Sequence, residues 1–366
     1  MNEFDVVIGA NYYFPHVSGL SEAARLLAER LAAEGLRVRV VCCRHQRDLP
    51  AFELIRGVEV ERVSVVATIR NGPFSPLFPF QLARRARHAQ VLNLHLPMIE
   101  SGLVSILARR TKLVVTYQCD FVGPDSMVGR LIERVMDFSN KIAIKRASRV
   151  VVSSQDYAIQ SRLATWLIDA IPIPPPFVSR ARGLPTFRRS AGFHYGFLGR
   201  MTVEKGISYL VQAFQQCARP DDQLLIGGES SKKLGESVID EVKSLIAGDP
   251  RISLLGFIEE GRMNDFYASL DAFVFPSINR LEAFGIVQME ALSAGVPVVA
   301  SNIPGVRTIV LETGCGLLAE MGNVVDLARV MNEIRIFKMP SAISTNGRTS
   351  LDRYVKLFHS IIPTRQ

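Results

Sequence analysis

A chain of 366 residues, 48% hydrophobic and 21% charged, holds material for about two globular domains and excludes a disordered or fibrous polypeptide. Its net charge of +8 falls mostly within residues 1–175, yet no nucleic-acid-binding motif or aromatic-interleaved basic strip accompanies it, so nucleic acid is not an expected partner. Five scattered cysteines without a Cys-x-x-Cys spacing, no leader-like N-terminus and no run of roughly 20 apolar residues lead to the expectation of a cytoplasmic protein, at most peripheral at the inner face of a membrane.

The apolar run Phe4–Ala10, helical spacing over Leu20–Ala33 closed by Gly35, and the apolar run Val38–Cys43 predict a strand, a helix and a strand. Strands are expected next at Val58–Val66, Val91–Leu94, Leu113–Tyr117 and Arg149–Ser153, with helices at Pro79–His88, Glu100–Arg109 and Gly129–Arg146. Four prolines between Ile171 and Phe177 cannot sustain a helix or a central strand, which marks a linker. Beyond it the alternation resumes. Strands are expected at His194–Leu198, Gln223–Gly227, Ile252–Leu255, Ala272–Phe275 and Val296–Ala300, and helices at Ser208–Cys217, Glu236–Ala247, Arg262–Leu270 and Gly285–Ala294. The fold class is α/β, as two doubly wound, Rossmann-like domains facing across a cleft. Residues 1–175 form the first and 176–349 the second, and a last helix within 350–366 packs back on the first.

Two carboxylates, Glu282 and Glu290, stand either side of Ala283-Phe284-Gly285, a turn that opens a helix. The first turn of that helix offers unpaired N–H groups, and two acids beside such a seat suit sugar or ribose hydroxyls. A solvated loop acid beside an ordinary helical glutamate is the plainer alternative. Gly199-Arg200 through Lys205-Gly206 joins a strand to a helix; the guanidinium can fork two oxygens and the ammonium adds a point charge, as a diphosphate requires. Gly19, with His16 before it, lies between the first strand and first helix, where backbone can approach phosphate. Gly228, Phe257 and Ile258 follow strands whose edges can hold a nucleobase, as the turns of any α/β protein can. His95 and Tyr117-Gln118-Cys119-Asp120 follow first-domain strands; His95 fits either the acceptor side of a site or a hydrogen-bonded core histidine. No Gly-x-Gly-x-x-Gly, Walker or Gly-x-Ser-x-Gly pattern occurs, and no spacing suggests a metal ligand set. Arg84-Arg85-Ala86-Arg87, Arg109-Arg110 and the Lys141–Arg149 segment suit an anionic membrane surface or a phosphorylated substrate, or are solvated faces.

Taken together, Gly-Arg…Glu-Lys-Gly at 199–206, Leu-Gly-Phe at 255–257 and the stretch from Pro276 to Ser301, with Glu282 and Glu290 in a Glu-x7-Glu spacing, resemble the retaining GT-B glycosyltransferases often called family 4. The resemblance spans most of the chain. It implies transfer of a hexose or related sugar, with retention and without a metal or other cofactor, from a nucleoside-diphosphate sugar to an acceptor hydroxyl or amine in polysaccharide, glycolipid or natural-product glycoside synthesis. Arg200 and Lys205 are then expected to neutralise the leaving diphosphate, Glu290 to hold the ribose and Glu282 to meet the transferred sugar. The backbone at Ala283, Phe284 and Gly285 would hold sugar hydroxyls or phosphate, while Gly199 and Gly19 approach the diphosphate. Gln118 stands where the family often has histidine, so it can position a group but not transfer a proton. Asp120 is the expected polar group toward the acceptor. A sugar phosphorylase, a nucleotide-sugar epimerase or a catalytically silent nucleotide-sugar-binding partner would carry the same motifs; the base, the sugar and the acceptor are not legible.

Overall fold

The structure, a computed structural model, describes residues 3–69, 72–123, 125–181, 183–229, 238–340 and 347–362. The chain divides into two compact units, Met1–Phe177 with Gly347–Gln366, and Val178–Asn346.

Unit 1 carries β1 (Phe4–Gly9), α1 (Gly19–Ala33), β2 (Val38–Arg44), β3 (Phe52–Ile55), β4 (Val58–Ser64), the hairpin β5 (Ala67–Ile69) and β6 (Gly72–Phe74), α2 (Phe78–Ala86), β7 (Ala89–Leu96) and α3 (Ser101–Leu107). There follow β8 (Lys112–Tyr117), α4 (Met127–Arg146), β9 (Arg149–Val152), α5 (Gln155–Ala158), α6 (Ala164–Leu167) and β10 (Ile171–Pro172). One sheet runs in the order β10-β9-β8-β7-β1-β2-β4-β3, parallel except where β3 pairs antiparallel with β4. The expected proline-rich linker contributes β10 at the sheet's far edge, the one strand position where a proline costs no ladder bond. β3 escaped the sequence reading because its apolar residues Phe52 and Leu54 are exposed, so no buried alternation marks it.

Unit 2 is built from β11 (His194–Leu198), α7 (Ile207–Cys217), β12 (Gln223–Gly227), α8 (Ile239–Ile246), β13 (Ile252–Gly256), α9 (Met263–Ala268), β14 (Ala272–Phe275), α10 (Ile286–Ser293), β15 (Val298–Ser301), α11 (Val306–Thr313), β16 (Gly316–Ala319) and α12 (Val324–Glu333). Residues 236 and 237 of the expected helix Glu236–Ala247 lie outside the described residues. The six strands are all parallel, in the order β13-β12-β11-β14-β15-β16. Successive residues of each strand point to opposite faces, and both faces are covered. Tyr195, Phe197, Leu224 and Val274 pack with Leu210 and Phe214 of α7 and Met331 of α12. Leu225, Phe273, Phe275 and Val298 pack on the other side with Phe266, Leu292 and Ile309 of α9 to α11. The strand expected from Val296 begins at Val298, because the Val296 N–H closes the end of α10 on the Ala291 carbonyl and Pro297 has no N–H to give.

The last helix, α13 (Gly347–Ile361), returns to unit 1. Asp352 meets Arg30 of α1 at 2.9 Å, and Tyr354, Val355 and Phe358 complete the core around Leu27 and Leu31.

Candidate functional site

Strand order reverses between β11 and β14: from β11 the chain steps outward to β12 and β13, from β14 outward to β15 and β16. Loops leaving the carboxyl ends of those strands lie beside each other, which is where open α/β sheets take ligands. Gly199 follows β11 and donates its N–H to the Gly227 carbonyl at 3.1 Å. Gly228 presses against it so closely, at φ +141°, that a Cβ would lie 1.8 Å from the Gly199 oxygen. Arg200 then extends toward solvent, its Nη2 3.1 Å from Glu204 Oε1.

The loop after β11 is tied to the loop after β14 by backbone. A Cβ on Gly206 would fall 2.1 Å from the Pro276 oxygen, and both Ile278 N–H (2.9 Å) and Ser277 Oγ (3.1 Å) donate to the Glu204 carbonyl. This seam brings Lys205 Nζ to 2.6 Å from Glu282 Oε2 and 5.4 Å from the Phe275 ring centre. Both side chains are less than one-fifth exposed, so the pair is screened far less than a surface ion pair. Past Glu282, half-buried Ala283 and buried Phe284 lead to Gly285, whose φ of +79° starts α10. A side chain at Gly285 would strike Phe275 and Gln288, each 2.7 Å from its Cβ. The N–H groups of Phe284 and Gly285 make no hydrogen bond among the described residues and stand at a helix terminus that favours negative charge.

Glu290, about one and a half turns into α10, is buried and its Oε2 is already engaged. Arg180 reaches it with Nε (3.2 Å) and Nη2 (3.0 Å), and the Tyr267 hydroxyl donates to it at 3.0 Å. Burial raises the Glu290 pKa above the usual carboxylate value, against the pull of Arg180 and Tyr267. The other oxygen, Oε1, takes no part in these bonds. Phe257 is exposed beyond β13, whereas Ile258 packs into the core with Leu198 and Leu225 and offers its neighbourhood backbone only. Lys205 and Glu282 are thus in direct contact, while Arg200 and Glu290 each have a separate partner.

In unit 1 the order reverses between β1 and β7. Gly19 is exposed at the start of α1, below the capping residue Ser18, whose hydroxyl accepts from Ser21 N–H at 3.2 Å. His16 stacks on Tyr12 with ring centres 4.2 Å apart and meets His45 edge-on at 5.5 Å. His95 lies inside β7, buried, with Nδ1 2.9 Å from Gln118 Nε2. Burial alone pushes its pKa down to about 4, which keeps the ring neutral near pH 7. Asp120, expected as the polar group toward the acceptor, has a buried carboxylate that accepts from Tyr117 (2.5 Å), Ser161 (2.8 Å) and Tyr157 (3.1 Å) hydroxyls, while its own N–H donates to Tyr157 Oη at 2.8 Å. Three donors on one carboxylate satisfy it within unit 1 and leave it a positioning group for the segment carrying Gln118. Arg180 and Tyr267, the partners of Glu290, were not foreseen. They lie 110 and 23 residues from it, and no local spacing links them.

The model for glycosyl transferases group 1 matches residues 192–336, and that for the glycosyl transferase 4-like domain matches residues 18–173. The chain belongs to this glycosyltransferase family, and its two parallel α/β units are those of the GT-B fold. Among individual proteins, it is 33% identical over 130 residues to the glycosyltransferase MJ1607 of Methanocaldococcus jannaschii, a match covering 34% of this chain and only about a third (32%) of that protein. It is 25% identical over 355 residues to the D-rhamnosyltransferase WbpZ of Pseudomonas aeruginosa, covering 95% of this chain and 90% of the other. The fold is similar to that of Anabaena Alr3699/HepE in complex with UDP-glucose, with a TM-score of 0.68 and 18% identity over 98% of this chain and 97% of that one.

Proposed function

We propose that the protein transfers a hexose or related sugar from a nucleoside-diphosphate sugar to an acceptor hydroxyl or amine, with retention, without a metal, and in the cytoplasm. Unit 2 takes the donor. The Lys205–Glu282 contact carries this reading: a cation and a carboxylate held 2.6 Å apart by a two-loop seam that leads into the Phe284 and Gly285 N–H groups, which make no hydrogen bond among the described residues. A diphosphate draws Lys205 to itself and frees Glu282 for a sugar hydroxyl, and Arg200, on an exposed side chain, closes over the phosphates. Glu290 Oε1 serves the ribose while Arg180 fixes Oε2. Charge accumulating on the departing diphosphate is what such prepositioned cations stabilise, and mutational losses of single preorganised groups of this kind run to about 10²–10³ in rate. Similarity to a fold known in complex with UDP-glucose supports the nucleotide-sugar class, and similarity to the D-rhamnosyltransferase WbpZ supports transfer of a sugar.

Acceptor recognition falls to unit 1, with Gly19, His16 and the Gln118–His95 pair as its polar groups. Gln118 cannot act as a proton-transfer group, which motivates the alternative of a nucleotide-sugar-binding partner without turnover. The test is a thermal-shift screen of nucleoside-diphosphate sugars, followed by product analysis with the donor that binds, with and without EDTA and with acceptors from glycan, glycolipid and small-molecule classes. The expected result is a raised melting temperature with one donor and an EDTA-resistant glycoside product in which the anomeric configuration is kept. Failure of every nucleotide sugar to bind refutes the donor site, and binding with no transfer to any acceptor class favours the silent partner.

A further inference from the structure

We propose that the outer face of α4, continued by α2 and α3, docks on an anionic lipid bilayer. Along α4, Val128, Leu131, Val135 and Phe138 recur at steps of three, four and three residues, so they form one stripe about 15 Å long. A buried stripe would show that pattern; here these four and Met127 are 46–82% exposed. The buried side of α4 is a different one, Gly129, Met136, Ser139, Asn140 and Ala143, which meets α3: Ser139 Oγ, for example, accepts from the Gly102 N–H at 2.9 Å. A helix that already has its packed side and still exposes a contiguous apolar stripe needs something to cover that stripe.

Charge identifies the cover. Arg130, Arg134 and Lys145, all exposed, line the edge of the exposed stripe, and half-buried Lys141 lies on the same side with its ammonium over the Trp166 ring. Arg134 and Lys145 make no ion pair among the described residues, and Arg130 has only the fully exposed Asp125 at 3.9 Å. The acids of α4 are occupied elsewhere, Asp137 by Arg162 at 2.7 Å and Glu133 by the Gly123 N–H at 2.8 Å. The neighbouring helices repeat the arrangement: exposed Leu77 and Phe80 precede Arg84 on α2, and exposed Leu103 and Ile106 on α3 precede Arg109 and Arg110. Apolar residues beside a row of cations suit shallow insertion below anionic headgroups. No described helix is long and apolar enough to cross a membrane, so the contact is with one surface. This inference stands apart from the donor site and does not depend on it.

The test is co-sedimentation of the full chain with phosphatidylcholine vesicles and with vesicles containing 30% phosphatidylglycerol. Wild type is expected to bind the anionic vesicles, to release as salt rises from low ionic strength to about 0.5 M, and to ignore the neutral ones. The double variant Leu131→Glu/Phe138→Glu and, separately, Arg130→Glu/Arg134→Glu should each weaken binding at least tenfold, since one basic residue near such a surface is worth roughly fivefold. All substituted side chains are solvent-exposed, so melting temperature and transfer to a water-soluble acceptor should not change. Absence of wild-type binding to anionic vesicles at low salt overturns the proposal. So does binding that survives Leu131→Glu/Phe138→Glu, or a stripe whose substitution abolishes only self-association measured by light scattering, which would make a second copy the occupant.

Discussion

Replacing His95 by glutamine should remove much of the acid sensitivity of unit 1. Burial depresses the pKa of this imidazole from 6.5 to about 4 in the native state, and nothing in the unfolded chain does so. Between those values the unfolded chain binds a proton that the native protein refuses, so stability rises with pH across the window. The neutral-ring contribution is complete above pH 6.5, is lost as pH falls toward 4, and changes no further below it. A displacement of that size corresponds to roughly 3 kcal/mol, a large share of the stability of one domain. Trp166 supplies the assay. It is the only tryptophan in the chain and belongs to α6, with Lys141 Nζ 4.1 Å from its ring centre, so its fluorescence in urea reports unit 1 rather than unit 2. His45, also in unit 1, is shifted down mainly by burial and contributes with the same sign, so the informative quantity is the difference between wild type and His95→Gln. The wild-type transition should weaken by about 3 kcal/mol more than that of the variant between pH 7 and pH 4. Parallel curves for the two proteins, or a ring that titrates near 6.5 by NMR, would refute the buried neutral imidazole.

Gly228→Ala, at φ +141° with a Cβ 1.8 Å from the Gly199 oxygen, must move backbone and should cost unit 2 more than about 2 kcal/mol, read as a drop of several degrees in its melting transition. Arg180→Met leaves Glu290 buried without its cation and should destabilise by about 3–5 kcal/mol; the double change Arg180→Met/Glu290→Met should recover most of that, and equal losses in the two would show that no buried charge was stranded. Lys205→Met and Glu282→Gln should each lower transfer at least 10²-fold, in line with the loss of one preorganised group. Their effects on nucleoside-diphosphate affinity should be opposite, weaker for Lys205→Met and tighter for Glu282→Gln by calorimetry.

Where elements could be read from the sequence, burial had left a period to read. β11, β12 and β14 lie at the centre of a sheet covered on both faces, and their apolar runs match the strands residue for residue. Nothing beyond Ala300 was foreseen until the last helix, although α11, β16 and α12 lie there. α11 is only eight residues between Gly305 and Gly314, and β16 is four residues at an edge, too short to display either period. The site divides along the same line. Gly206, Gly228 and Gly285 stood out by position, yet as backbone for a ligand; that a left-handed φ and a close neighbouring atom admit no other residue there is visible only in the fold. Side-chain pairing was not legible. The carboxylates of Glu282, Glu290 and Asp120 look alike in sequence, yet one meets a lysine, one an arginine and a tyrosine, and one three hydroxyls, through partners that the fold alone brings near.

Under the proposed function, that difference in partners gives the two acids of the Glu-x7-Glu spacing different work. Arg180 and Tyr267 bind Glu290 through Oε2, so under the proposed function a ligand has no need to break those bonds to reach Oε1, and the residue would act as a fixed edge. Among the described residues the Glu282 carboxylate is paired with Lys205 alone, and under the proposed function a diphosphate has to displace that contact. In partly screened surroundings unit charges about 4 Å apart interact by roughly 4 kcal/mol, so the Glu282 carboxylate is a substantial competitor for the Lys205 ammonium. Without the Glu282 charge, Lys205 has no internal competitor and grips the nucleotide harder, while the sugar loses its acceptor of hydrogen bonds. Tighter diphosphate binding coupled to slower transfer in Glu282→Gln therefore follows from the geometry of one ion pair, and a variant that lost affinity instead would show that Glu282 holds the nucleotide rather than competing with it.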